Sequence, residues 1–70
     1  MIQVQEQTFG EILRNARREQ GITQQKLSEM TGFTIRAISY WETDRHEISL
    51  KNANVIAKTL GITIPVGKKQ

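Results

Sequence analysis

The stretch Gly21-Ile22-Thr23-Gln24-Gln25-Lys26-Leu27-Ser28-Glu29-Met30-Thr31-Gly32-Phe33-Thr34-Ile35-Arg36-Ala37-Ile38-Ser39-Tyr40-Trp41-Glu42 decides the fold, because it holds two helix starts and a glycine stop in close succession. Thr23 and Thr34 each carry a hydroxyl that can accept a hydrogen bond from a free backbone N–H of the next turn, so each predicts a helix beginning one residue later. The first helix runs from Gln24 to Thr31 and ends at Gly32, which suits the left-handed conformation of a helix stop. The second runs from Ile35 to Glu42. At about 100° per residue, Ala37, Ile38 and Trp41 share one face of it, while Ile35, Arg36, Ser39 and Tyr40 share the other. The inner face is expected to pack on Leu27, Met30 and Phe33. The result is two short helices joined by a glycine turn.

Outward from this pair, the pattern stays helical. Thr8-Phe9-Gly10-Glu11 reads as a capping box, in which Thr8 caps a backbone N–H and Glu11 reaches back to Thr8. The helix it opens carries Phe9, Leu13, Ala16 and Gln20 on one stripe, with Arg17 at its edge, and Gly21 suits its stop. Ser49 caps a further helix, Leu50 to Leu60, with Leu50, Ala53, Ile56, Ala57 and Leu60 as its inner face and Gly61 at its end. Thr43 to Ile48 is a polar connection. Residues 1–7 are expected to form an arm, extended or disordered, and residues 63–70 a tail that frays, with Pro65 permitting at most one further helical turn and Ile62 packing inward. The expected architecture is all-α: a compact bundle of four to five short helices occupying residues 8–62.

Seventy residues make one domain with a small core, and without cysteine neither disulfides nor thiolate metal sites can support it. His46 has no companion ligand at metal spacing, so no metal or other cofactor is expected. Nor does the chain place a base near a nucleophile, which argues against an enzyme and a small-molecule substrate. No apolar run is long enough to span a membrane, and a soluble, cytoplasmic protein is the expectation. The net charge of +3 leans toward polyanionic partners without deciding the matter.

The outward face of Ile35–Glu42 carries more information. Arginine can form a bidentate fork to guanine, hydroxyls can bond bases or phosphates, and isoleucine can meet a thymine methyl, so Ile35, Arg36, Ser39 and Tyr40 are candidates to read base edges. In the following loop and helix, Arg45, His46, Lys51 and Asn52 are candidate phosphate contacts, although Asp44 and Glu47 temper the loop's charge and a solvated His46 is an equal alternative. Arg14, Arg18, Lys68 and Lys69 read as plain surface charge.

On Gly21-Ile22-Thr23-Gln24-Gln25-Lys26-Leu27-Ser28 and Ile38-Ser39-Tyr40-Trp41-Glu42, the chain resembles the phage repressor and Cro family of helix-turn-helix domains over residues 8–62. The resemblance implies a sequence-specific regulator of transcription, a repressor, that reads double-stranded DNA in the major groove with the helix Ile35–Glu42. It implies phosphate contacts from Gln24 and Thr34, and a structural ion pair between Arg17 and Glu42. Ile35 stands where such domains often carry a polar reader. The family binds palindromic operators as symmetric dimers, and Val55, Ile64 and Val66 offer an apolar patch for weak self-association. A protein-interaction module, such as an antitoxin partner or coactivator adaptor, is the alternative the same fold allows.

Overall fold

The computed structural model describes residues 7–63. The arm read in residues 1–6, the tail beyond residue 63, any fifth helix there, and Ile64 and Val66 of the apolar patch lie outside the described residues.

Four helices follow in order: α1 Phe9–Glu19, α2 Gln24–Thr31, α3 Ile35–Glu42 and α4 Leu50–Leu60. Each begins where a hydroxyl caps it. Thr8, Thr23, Thr34 and Ser49 all adopt extended backbone and accept from the N–H three residues on. At Thr8 the capping box is complete, with the Glu11 carboxylate accepting from the Thr8 N–H. Gly21, Gly32 and Gly61, all at positive φ, end α1, α2 and α4.

The termination of α3 differs. Asp44 sits at φ 60°, its N–H bonded to the Trp41 carbonyl at 3.2 Å, while the Arg45 N–H bonds the Tyr40 carbonyl at 2.8 Å. These two bonds form a Schellman motif, built here on aspartate in place of glycine. The Asp44 carboxylate supplies a reason: it accepts the Thr8 hydroxyl proton at 2.8 Å and so ties the end of α3 to the start of α1. A carboxylate at a helix N-terminus is also favoured by the unpaired N–H groups there. Gly10 permits the approach, since a Cβ at that position would lie 2.1 Å from the Trp41 carbonyl oxygen and 2.7 Å from Asp44 Oδ1.

The core forms where the helices meet. Leu13 and Ala16 of α1, Leu27 of α2, Ile38 of α3, and Ile56 and Leu60 of α4 cluster in the interior. Leu13, Leu27, Ile38 and Ile56 are wholly buried, each contributing about 1.5 to 3 kcal/mol of transfer free energy. Phe9, Ile22, Phe33, Trp41, Ile48 and Ile62 close over this cluster. The turn between α2 and α3 is held by an edge-to-face contact of Phe33 and Trp41, with centroids 5.0 Å apart, and by a hydrogen bond from the Ser28 hydroxyl to the Phe33 carbonyl.

Two expected core residues are not core. Met30 is 45% exposed and Leu50 is 63% exposed. In α2 the inner face is made by Leu27 together with Gln24, Ser28 and Thr31, all buried or half-buried, and Met30 points about 110° away from their mean direction. Ser28 and Thr31 can face inward because their hydroxyls donate to the Phe33 and Leu27 carbonyls. Leu50 is the first residue of α4 and lies about 70° from the centre of the stripe formed by Ala53, Ile56, Ala57 and Leu60. Gln20, expected on the inner stripe of α1, is exposed, but its amide reaches the Leu60 carbonyl at 2.6 Å and closes α1 onto α4.

Candidate nucleic-acid interface

A buried charge network sets how α3 sits. The Arg17 guanidinium grips Glu42 in a fork, Nε to Oε2 at 2.6 Å and Nη2 to Oε1 at 3.0 Å, and its Nη1 donates to the Ile22 carbonyl at 2.7 Å. Gln24 Nε2 adds a third bond to Glu42 Oε1 at 3.1 Å. The Arg17 and Glu42 side chains are only 12% and 2% exposed. Charges buried this far survive because every oxygen of the carboxylate is occupied and the guanidinium is bidentate. The network links α1, the first turn of α2 and the last turn of α3, so it fixes the rotation of α3 about its axis.

With Ile38 and Glu42 inside, Arg36 and Tyr40 lie on the opposite side of α3 and Ser39 at its edge, while Ile35, on the same side as Glu42, is exposed in the first turn. Thr34, Ile35 and Arg36 are exposed, and Ser39 and Tyr40 are half-buried. The Thr34 oxygen accepts from the Ala37 N–H at 3.0 Å, which leaves its hydroxyl proton available to an acceptor outside the protein. Arg17–Glu42 is the one ion pair among the described residues, so the exposed cations Arg36, Arg45 and Lys51 have no carboxylate partner there. An uncommitted cation is what a phosphate or a guanine edge requires.

The candidates fall into groups. Gln24 joins Glu42 and Arg17, and among the described residues its second amide hydrogen and its first-turn backbone N–H have no partner and can meet an anion. Tyr40, Arg45 and His46 come together: the Tyr40 and His46 rings lie 4.8 Å apart at a 38° tilt, and the Arg45 guanidinium lies 5.7 Å from the Tyr40 ring centre. Lys51 is exposed and Asn52 half-buried in the first turn of α4, and among the described residues no side-chain hydrogen bond ties them to either group. Val55 is 37% exposed on α4. Sequence reasoning missed Asp44, Thr8 and Gly10 as the clasp that carries the α3–α4 loop. The capping box announces Thr8, but nothing local links it to a residue so distant in the chain.

A helix-turn-helix family model matches residues 13–66. The chain belongs to the helix-turn-helix family. It is also similar, at 33% identity and a TM-score of 0.76, to the P22 c2 repressor protein, solved in complex with synthetic operator 9T in the presence of Tl+. The match covers 83% of this chain and 88% of that one. No match is found among curated protein sequences. The family and fold are those of DNA-binding regulators, and among the described residues no helix is long and apolar enough to cross a membrane.

Proposed function

We propose that this helix-turn-helix domain is a sequence-specific, double-stranded DNA-binding regulator of transcription, acting as a repressor, with α3 in the major groove. The observation that carries the reading is the Arg17–Glu42–Gln24 network, which turns the side of α3 that carries Arg36 and Tyr40 outward, beside Ser39 and the exposed Ile35 of the first turn, on a helix of the right size for that groove. Similarity to a repressor solved with its operator supports it.

Arg36, Ser39, Tyr40 and Ile35 then specify bases, Ile35 through a thymine methyl. Gln24, Thr34, Arg45, Lys51 and Asn52 fix the register on phosphates. Two copies, touching weakly through a surface that includes Val55, occupy half-sites of a palindrome about 34 to 36 Å apart. Repression needs no chemistry: a bound dimer occludes the promoter, in the cytoplasm of a prokaryotic host.

The test is a titration against random-sequence duplexes at two salt concentrations, followed by selection of bound sequences. Salt-dependent binding with a roughly palindromic enriched motif is expected. Absence of binding at low salt would instead support a protein-interaction module.

A further inference from the structure

The Tyr40, Arg45 and His46 cluster lies apart from the core. His46 and Arg45 are exposed, so the imidazole and the guanidinium bury little surface, yet both lie against the same half-buried tyrosine. The loop is not free to drift from it. The Arg45 N–H is bonded to the Tyr40 carbonyl, and Asp44, at positive φ, turns the chain back toward α3 while its carboxylate is held by Thr8. A tyrosine on the outward side of a helix, even half-buried, has more than one staggered side-chain direction open to it, and each carries its hydroxyl to a different place. Ring-ring and cation-π contacts of this kind favour one direction over the others by about two- to tenfold.

We infer that His46 is a positioning residue for sequence readout: its ring holds Tyr40 so that the phenolic hydroxyl is presented in one direction. The inference rests on the reading of Tyr40 as a base contact. It assigns to His46 a role distinct from that of a phosphate ligand, because a phosphate ligand acts on every sequence alike, whereas a residue acting through Tyr40 affects only the position Tyr40 reads.

The experiment is selection of bound DNA by the full chain and by Tyr40→Phe, His46→Ala and His46→Phe, with nuclear magnetic resonance of the free proteins alongside. Tyr40→Phe is expected to erase preference at one position of the motif. His46→Ala should weaken preference at that same position by about two- to tenfold, with affinity for random duplex and its salt dependence unchanged. His46→Phe, which keeps a ring, should restore it. In the free protein the Tyr40 ring signals should move in His46→Ala and return toward their native positions in His46→Phe. Uniform loss of affinity with a shallower salt dependence in His46→Ala, loss of preference elsewhere, or unmoved Tyr40 signals would each overturn the inference. A native chain that selects no motif overturns the regulator reading itself, and the ring signals tell that outcome apart from failure of the His46 contact.

Discussion

At the scale of single residues, the two arginines that matter most have opposite fates. Arg17 is spent on Glu42 and the Ile22 carbonyl, inside the molecule. Arg36 is exposed and without a carboxylate partner among the described residues. Removing the carboxylate from the first should therefore damage the fold, and removing the second should damage only recognition. Glu42→Ala leaves a buried guanidinium uncompensated, and a loss of about 3 to 5 kcal/mol is expected, a large share of the stability of a small domain. Thermal unfolding checks this, and a melting temperature equal to the native one would contradict the structural role. Arg36→Ala should keep the melting temperature while costing about 1 to 3 kcal/mol on the preferred sequence alone. Arg45→Ala should weaken every sequence and lower the salt slope by about one, with a smaller additional loss confined to the position Tyr40 reads. Fluorescence titration on matched and mismatched duplexes separates the two, and equal losses from both variants on every duplex would refute the division of labour.

At the scale of elements, the helix termini explain both what could be read from the sequence and what could not. Caps act over three residues, so Thr8, Thr23, Thr34 and Ser49 mark the four helix starts wherever the rest of the chain goes. Burial is a property of the neighbours, and Met30 and Leu50 depart from their local pattern for that reason. Two apolar residues one turn apart, Leu27 and Met30, suggested an inner stripe, but the inner face of α2 is completed by Gln24, Ser28 and Thr31, whose polar groups find partners inside. Leu50 has the right character for a core and sits too near the end of α4 to reach one. The outward set on α3 was legible from periodicity, whereas the contacts of Tyr40 with Arg45 and His46 depend on how the loop leaves α3. That exit rests on Asp44. Asp44→Ala keeps the left-handed strain and loses the bond to Thr8, so a destabilisation of about 1 to 3 kcal/mol is expected. Asp44→Gly loses the same bond but relieves the strain, and should be the more stable variant by about 1 kcal/mol. Chemical denaturation of the pair decides it, and an alanine variant as stable as the glycine one would remove the case for strain at this position.

At the scale of the whole molecule, the proposed function makes the domain one half of a symmetric reader. The charge contacts of one copy should then count twice on a complete site, so the slope of binding against salt on a full palindrome should be about double that on an isolated half-site. Equal slopes on both, together with sedimentation as a monomer in the presence of the palindrome, would exclude the dimer. Val55→Lys provides the companion measurement: it should leave binding to a half-site unchanged and reduce affinity for the palindrome.

Gly10 lies on the helix that starts the domain, packed on the Trp41 carbonyl and Asp44. Even a methyl group there would drive α1 away from the end of α3, a backbone displacement costing about 1 to 3 kcal/mol, set against a gain of at most about 1 kcal/mol in helix propensity. In a domain with little stability to spare, that deficit is tolerable in the cold and ruinous when warm. Gly10→Ala is thus the place to seek a conditional allele, one whose carrier keeps the regulated genes silent at low temperature and releases them on a modest shift upward, with every DNA-facing side chain still intact.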